Sequence, residues 1–477
     1  MSQTNIQPNL FLTKKRLAAI LICAACLWFL FTGFLTIVRY RANYASTYDF
    51  GIFSQMYYYM DQTLAPMTTC ERDGLLSHFA VHLSPIFYLL LPVYHLIPRQ
   101  ETLLVLQALL VASGMIPMYL LAKAFRLSNW EILGFTLMYC LYPAFMGGCF
   151  YDFHENKFLA ALILWCMYFM EIKRFWAMFA SLFLLLMVKE DAPVYAACIG
   201  LYLFLWKKEY VRGASAFILS CAYFIGAVWY INRFGDGAMV NRFDNFISDP
   251  DLGLISMFKT LLVNPAYLLS QIAVKDKIWF ILQMTLPLFF LPFMTGHWQK
   301  WVLLIPFVLI NLMSNYKYQH SIYFQYVYGS GALLLYLSLS NYCALKERMK
   351  GSSFFPLLLC AAGLFWGTVF TSTVIIEKSD YLPRYLAHRE DAARARDLLS
   401  QIPQDACVKA STFFLPQLSM RDEIYLLESH HPAPYLVVDL RKGYEKDLEQ
   451  KLASYEEEGY KALGTVEGYV TVLEKLP

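Results

Sequence analysis

The chain has 477 residues and a net charge of +3; 58% of its residues are apolar and only 16% are charged. Soluble globular proteins carry about 45–50% apolar and about 25% charged residues. This composition therefore excludes a cytosolic enzyme, a disordered chain and a nucleic-acid-binding protein. The 11 cysteines show neither a disulfide framework nor paired metal-ligand spacing. The chain is expected to be a polytopic membrane protein.

Apolar runs predict the membrane-spanning helices. A helix crosses the hydrocarbon layer with about 20 apolar residues, and residues 17–38 form such a run directly behind Lys14, Lys15 and Arg16. This run is too long for a cleaved signal peptide and predicts an uncleaved anchor with a cytoplasmic N-terminus. The sequence predicts about eleven spans: 17–38, 102–121, 132–150, 158–170, 175–188, 194–206, 214–231, 278–293, 301–313, 324–342 and 354–374.

Basic residues predict the topology. If the first span runs from inside to outside, every second connection should be cytoplasmic and rich in Lys and Arg. The connections in those positions carry Lys123, Arg126, Lys173, Arg174, Lys207, Lys208, Arg212, Lys300, Lys346, Arg348 and Lys350. Segment 78–97 is apolar enough to be a span, but a span there would invert the pattern. We interpret it as re-entrant or interfacial, within a long first outer loop over 39–100.

The composition changes after residue 376. Residues 377–477 are polar and charged, with four short strand-like runs, ACVKAS, EIYLL, PYLVVDL and YVTVLEK. Helical patterns over 389–400 and 444–455 lie between them, and strands that alternate with helices indicate a small α/β domain. The predicted organisation is a transmembrane domain over 1–376 and an α/β domain over 377–477, which the span count places outside the cytoplasm.

The first outer loop opens with YDFGIFSQMYYYMDQ, so that Asp49 stands just after the first span. Ionisable groups beside spans usually face a cavity or a partner, and a carboxylate there could take a proton from an acceptor hydroxyl or amine. The alternative is an N-cap, because an Asp before a helix satisfies free backbone N–H groups. Phe53, Met56 and Tyr57 would line the apolar face of that helix, which would lie in the membrane interface.

Other ionisable residues lie on the same predicted outer side of the membrane. His78 and His82 are four residues apart and would share a helix face, either as ligands of a phosphate or metal or as residues of a wet interface. In GGCFYDFHENK, a helical turn would bring Asp152 and Glu155 to one side, with His154 between them. That group predicts a metal site or an acid/base pair. The alternative is a solvated loop in which Asp152 caps the next span.

Two further groups are candidate substrate contacts. Lys189, Glu190 and Asp191 stand between two apolar runs with hardly any loop to solvate them, which favours pairing inside a polar cavity. Lys189 could hold a lipid phosphate, and the alternative is a charged turn whose members pair with one another. His320 lies in the aromatic segment YKYQHSIYFQY, at the outer end of a span, and is a candidate sugar contact.

Several motifs resemble those of one bacterial family of predicted membrane proteins, a domain of unknown function. They are YDFGIFSQ, HFAVHLSPIFYLLLPVYHLIP, YDFHENKFLAALIL, LLMVKEDAPVYAACIGLYLFL, YLPRYLAHREDAARA and LSMRDEIYLL. The layout of the chain resembles the GT-C membrane glycosyltransferases. The shared features are a cytoplasmic N-terminus, a long first outer loop that opens with an Asp, an acidic second outer loop, many spans and a C-terminal outer domain.

The resemblance implies an enzyme of the bacterial inner membrane that moves a sugar from a polyprenyl-phosphate carrier to an acceptor at the outer face. In GT-C enzymes an Asp of the first outer loop acts as a base or orients the acceptor, a role that falls on Asp49. Acidic residues of the second outer loop help to form the site and bind a divalent ion in some members. Such an ion would be held by Asp49, Asp152 and Glu155. This sequence departs from many GT-C enzymes in having Asp-Phe instead of Asp-Glu after the first span.

Two other functions are compatible with the sequence. A transporter or flippase for a lipid-linked solute would commonly show internal repeats and broken helices in matching halves, and no such repeat is evident. A non-catalytic membrane assembly protein would need no cavity at its outer loops. The transferase hypothesis instead predicts that Asp49, His82, Asp152 and Lys189 converge on one cavity that opens towards lipid.

Overall fold

A computed structural model describes residues 12–237, 240–349 and 354–475. Within these ranges the protein is a bundle of α-helices that carries a small sheet formed by its C-terminal strands. The predicted class, an α-helical polytopic membrane protein with a small C-terminal α/β region, is confirmed.

In the described ranges, seventeen α-helices lie between residues 14 and 387. In chain order they are α1 Lys14–Arg41, α2 Ile52–Thr63, α3 Leu91–Leu96, α4 Gln100–Ser113, α5 Met115–Ala124, α6 Asn129–Cys140, α7 Pro143–Cys149, α8 Lys157–Glu171, α9 Phe175–Leu186, α10 Ala192–Leu205, α11 Tyr210–Phe234, α12 Leu254–Val263, α13 Pro265–Ile272, α14 Lys275–Thr285, α15 Tyr328–Arg348, α16 Phe354–Ser379 and α17 Tyr381–Ala387. The first loop spans residues 42–99, the second loop residues 150–156 and the third loop residues 187–191.

Five helical stretches of the described chain are long and apolar enough to cross a membrane: Lys14–Arg41, Gln100–Ala124, Asn129–Cys149, Tyr210–Phe234 and Phe354–Ala387. Other predicted spans form shorter elements. The helices α8, α9 and α10 have 15, 12 and 14 residues. In place of the predicted run 278–293, α14 ends at Thr285 and short 3-10 segments begin beside Pro287 and Pro292. Proline lacks the N–H that would continue a helix. The number of spans stays a prediction.

The first loop has no long helix, because prolines and short polar turns interrupt it. Its segment 78–97 forms 3-10 turns at His78–Ala80 and Pro85–Leu89, followed by the six-residue α3. Strands β1 (Met67–Thr68) and β2 (Leu76–Ser77) pair in antiparallel fashion before it. The face of α2 predicted to lie in the membrane interface is instead part of the protein core, since Phe53, Met56 and Tyr57 are buried.

Glycines allow α10 and α11 to pack at very close range. A Cβ atom added to Gly213 would lie 2.6 Å from the backbone N of Phe204 and 2.8 Å from the carbonyl O of Gly200. Small residues at such contacts let helix backbones approach each other in membranes. The two glycines therefore set the distance between these helices.

Replacing Gly213 with alanine is expected to destabilise the protein by about 1–3 kcal/mol, because the methyl group must push two backbones apart. Gly226 lies in the same helix, and a Cβ there would meet nothing within 4 Å. Gly226→Ala is therefore the matched control and should stabilise the protein by about 1 kcal/mol through helix propensity. Thermal unfolding of both variants in detergent measures the contrast, and equal melting temperatures would contradict the packing argument.

The C-terminal domain (residues 380–475) follows α16. After α17 it contains α18 Arg389–Leu399, β3 Val408–Ala410, α19 Leu415–Leu418, β4 Ile424–Leu426, β5 Tyr435–Asp439, α20 Leu448–Glu457, β6 Tyr460–Val466 and β7 Val470–Lys475. The sheet order is β4-β3-β5-β7-β6; β3 pairs in parallel with β4 and β5, and the remaining pairings are antiparallel. The four predicted runs each contain a strand. Strand β6 was not predicted, although Gly468 with a positive φ of 65° marks the tight turn between it and β7.

The C-terminal domain packs directly on the first loop. Its apolar core includes Ile52 and Cys70 from that loop beside Phe414 and Leu415 of its own. The main apolar core of the molecule lies in the helical bundle. The end of the bundle that carries the C-terminal domain also gathers the first, second and third loops, and it holds the candidate site.

Candidate functional site

A cavity of about 360 Å³ lies among the first loop, the second loop and the segments around residues 242 and 316–326. Its charged and titratable lining residues are Asp49, Glu71, Arg72, His78, His82, His154 and Arg242. Its aromatic wall consists of Tyr48, Tyr151, Tyr316, Tyr318, Phe324 and Tyr326. Ligand pockets typically combine such apolar walls with a few converging polar groups.

Asp49 has a strained backbone. Its φ of 71° and ψ of −76° lie near the rare γ-turn conformation, which costs a non-glycine residue on the order of 1–3 kcal/mol and persists only where surrounding contacts impose it. The carboxylate accepts hydrogen bonds from Tyr151 and from Gln325 Nε2 at 3.4 Å. Strain of this kind concentrates at functional sites.

Asp49 is not an N-cap. Helix α2 begins after Gly51 without any side-chain cap hydrogen bond, so the capping interpretation is wrong. The carboxyl is instead held in a half-buried, acidic environment. Burial, followed by repulsion from Asp152 and Glu155, raises the pKa of Asp49 to about 7. An acid with that pKa can exchange a proton at neutral pH.

Two buried ion pairs stand behind the cavity wall. The Arg39 guanidinium binds the Asp152 carboxylate, with Nη2 and Oδ2 at 3.4 Å. Lys189 Nζ lies 2.9 Å from Glu155 Oε1, but the two are not aligned as a hydrogen bond, so both groups retain hydrogen-bonding capacity. Asp152 and Glu155 thus each have their own cation. The expectation of a helical turn here is wrong, because the second loop is irregular and α8 begins only at Lys157. Both carboxylates nevertheless lie close enough to Asp49 to repel its charge.

The third loop pairs with other loops instead of with itself. Lys189 reaches Glu155, while Glu190 Oε1 lies 2.8 Å from His82 Nδ1 and its other oxygen accepts the Leu83 N–H at 3.2 Å. Pairing inside a polar region, the prediction for this loop, therefore occurs across loops. Such pairs fix the three loops against one another, because a buried charge that loses its partner is costly.

His78 and His82 of the first loop differ in the direction of their pKa shifts. His78 Nδ1 lies 2.9 Å from Glu71 Oε2; burial lowers the pKa of His78, but the Glu71 carboxylate outweighs burial and the net shift is upward. For His82, burial and the nearby Lys189 charge both act downward, and the pKa falls well below its ordinary value. The two rings, whose centres are 5.9 Å apart, therefore differ in proton affinity, and His78 holds a proton more tightly than His82.

The predicted site residues divide into three groups. Asp49, His78, His82 and His154 line the cavity. Asp152, Glu155, Lys189 and Glu190 lie directly behind it in the ion pairs, and Asp191 is half-buried next to them. His320 is not brought to the cavity and lies instead near Asp276 and Lys277 at the start of α14.

Four functional candidates were not predicted: Arg39, Glu71, Tyr151 and Arg242. Glu71 stands seven residues before His78, so proximity in one loop was an available signal. The Arg242 guanidinium lies 4.8 Å from the Tyr316 ring centre, and contacts between segments so far apart in the chain leave no local signal.

The carboxylates predicted to bind a divalent ion do not suit one as they are arranged. Asp152 and Glu155 are already neutralised by Arg39 and Lys189, and Asp49 is largely protonated below about pH 7. Among the described residues, no three His, Cys, Asp or Glu side chains form a metal-ligand group. Hard cations need several charged or carbonyl oxygens that are free to coordinate.

Comparisons with known proteins agree with this architecture. A family model described as "Predicted membrane protein (DUF2079)" matches residues 39–445. The structure of ArnT from Cupriavidus metallidurans bound to undecaprenyl phosphate superposes with a TM-score of 0.55 at 10% sequence identity, covering 97% of this chain and 99% of that chain. The apo ArnT structure gives a TM-score of 0.53 at 9% identity, covering 96% and 98%. No curated protein matches the chain.

At such low identity the likeness shows the fold alone. That fold is the one of ArnT. The expected resemblance is confirmed at the level of the fold, and the matching family model confirms the expected family of predicted membrane proteins.

Proposed function

The chain belongs to the DUF2079 family of predicted membrane proteins and has a GT-C fold, and from that premise we propose that it is a membrane glycosyltransferase. It moves a sugar from a polyprenyl-phosphate carrier to an acceptor at the outer face of the bacterial inner membrane. The observation that carries the proposal is the cavity itself, in which a half-buried carboxyl with a pKa of about 7 shares one chamber with arginine and histidine side chains.

The reaction needs a base beside the acceptor hydroxyl and positive charge beside the phosphate of the donor. As the acceptor oxygen attacks the sugar carbon, its proton must leave, and Asp49 takes it as a general base. The bond between the sugar and the phosphate oxygen breaks at the same time, and the electron pair goes to the phosphate. Arg72, Arg242 and His78, whose pKa the Glu71 carboxylate raises, line the same cavity and offset that growing charge. The prenyl chain stays in the bilayer.

Reconstitution into vesicles tests the proposal. Purified protein is placed in liposomes that contain undecaprenyl-phosphate sugars carrying a radioactive label, together with a membrane extract that supplies acceptors. We expect protein-dependent movement of label from the lipid to a new product. Label that crosses the vesicle membrane while it stays attached to the prenyl phosphate would show a flippase and overturn the proposal.

Transfer should increase as the pH rises through about 7. The base form of Asp49 must be free of its proton, and burial with the neighbouring carboxylates raises the pKa of Asp49 to about 7. Below about pH 7 Asp49 is mostly protonated and cannot act as a base, so the rate of transfer is low. Above that pH Asp49 is mostly ionised, and the rate reaches a plateau. The charged groups that face Asp49 are Asp152, Glu155, Lys157 and Lys189. Measuring kcat/KM across this range checks the prediction, and a flat profile would contradict it.

A further inference from the structure

The C-terminal domain holds the chain immediately before Asp49. The Thr47 N–H donates to Thr412 Oγ1 at 3.3 Å, and the Thr47 hydroxyl donates to the Thr412 carbonyl at 3.1 Å. Two residues after Asp49, a Cβ added to Gly51 would lie 2.9 Å from Leu415 Cδ2. The domain thus contacts both flanks of the strained turn.

Helix α2, which follows the turn, is anchored in the same way. Ser419 Oγ donates to Ser54 Oγ at 2.8 Å. The Gln55 amide donates to the carbonyls of Arg421 and Asp422, each at 3.1 Å. Ser54 and Gln55 are fully buried, so these contacts are shielded from competing water.

Arg441 anchors the chain further upstream. Its Nη2 donates to the Asn43 carbonyl at 3.0 Å and its Nη1 to the Ala42 carbonyl at 3.4 Å. Asp439 fixes the guanidinium through a 2.6 Å contact, and the Tyr44 ring centre lies 5.1 Å from it. The chain just after α1 is therefore tied to the sheet on the side that leads to Asp49.

From these contacts we infer that the C-terminal domain is a positioning element of the active site, with Thr412 as the residue that holds the Asp49 turn. Among the described residues, those lining the cavity all lie between Ser46 and Tyr326, so the domain acts through the turn and not by touching substrate. A backbone in the γ-turn region relaxes when its surrounding contacts are removed. Without the Thr412 hydroxyl the turn relaxes and the carboxyl moves towards water.

Thr412→Val tests this inference, because it removes the hydroxyl that receives the Thr47 N–H and keeps the shape of the side chain. Thr465→Val is the matched control: Thr465 bonds to Thr471 within the sheet and contacts no part of the turn. Thr412→Ser keeps the hydroxyl and is the rescue variant.

The protonation of Asp49 is read from the infrared band of its carboxylic acid, identified as the band that Asp49→Asn removes. In the wild type the band should titrate with a midpoint near pH 7. In Thr412→Val the midpoint should move down towards the ordinary Asp value, since desolvation is the main cause of the raised pKa. Thr465→Val and Thr412→Ser should keep the wild-type midpoint, and the melting temperatures of all variants should agree.

In transfer assays Thr412→Val should lower kcat by about 10–100-fold, because a base displaced by about 1 Å loses up to that factor. A folded Thr412→Val protein with the wild-type midpoint and kcat would overturn the inference. The kinetic arm rests on the proposed function, but the infrared arm needs no substrate. If the wild type transfers no sugar while Thr412→Val still shifts the midpoint, the transferase proposal fails and the positioning role stands.

Discussion

Asp49→Asn will reduce sugar transfer by about 10²–10⁴-fold, which is the usual contribution of a general base, and the protein will remain folded. Asparagine keeps the oxygen that receives hydrogen bonds from Tyr151 and Gln325 but cannot take a proton at neutral pH. It also tolerates a positive φ better than most residues. The half-buried carboxyl of Asp49 is repelled by Asp152 and Glu155, so its neutral replacement removes that repulsion and should not lower stability.

A second Asp of the first loop provides the control. Asp73 also has a positive φ, 50°, but its side chain is exposed and it does not line the cavity. Asp73→Asn should retain wild-type transfer and melting temperature. Transfer is measured on both purified variants in liposomes, with folding checked by gel filtration and thermal unfolding. A folded Asp49→Asn enzyme that keeps the wild-type rate would remove Asp49 from the mechanism.

Arg39→Met is expected to destabilise the protein by about 3–5 kcal/mol, because it leaves the fully buried carboxylate of Asp152 without its cation. The side chain of Asp152 has 0% exposure and that of Arg39 10%. The remaining contacts of Asp152, with the N–H and hydroxyl of Ser46, are long at 3.4 Å and cannot replace an ion pair. Thermal or denaturant unfolding in detergent measures the loss.

The double variant Arg39→Met/Asp152→Asn should recover much of this stability, because neither charge is then left alone. Recovery will be incomplete, since Arg39 also lies over the rings of Tyr151 and Tyr381. Arg41 offers a matched control on the same helix: its pair with Glu101 is 52% exposed on the arginine side, and Arg41→Met should cost less than about 1 kcal/mol. Equal losses for Arg39→Met and Arg41→Met would contradict the assignment of a buried pair.

The sequence predicted the fold class because hydrophobic runs and strand alternation are local signals. The strand-like runs ACVKAS, EIYLL, PYLVVDL and YVTVLEK contain β3, β4, β5 and β7. The continuous apolar run 278–293 was predicted as one span, and there the local signal failed. Pro287 and Pro292 interrupt the helix, and hydropathy is insensitive to the loss of a backbone donor.

The site was predictable only in part, for a similar reason. Asp49, His78 and His82 stand out because each is an ionisable residue in an apolar setting. The partners of Asp49 and His82 come from distant parts of the chain. Gln325 reaches Asp49 across 276 residues, and Glu190 reaches His82 across 108. No periodicity or spacing encodes such contacts. Arg39 was predicted only as the first residue of the outer loop 39–100, although a basic residue there can also face inward to a buried acid.

The joint between the C-terminal domain and the first loop depends heavily on main-chain acceptors. Gln417, Arg441, Gln55 and Thr69 all donate side-chain hydrogen bonds across it to backbone carbonyls, those of Tyr40, Asn43, Arg421 and Ile424 respectively. Every amino acid supplies a backbone carbonyl, so a substitution at an accepting position leaves its acceptor in place. The sequence at these accepting positions can therefore diverge between homologues while the contacts that hold the turn are kept.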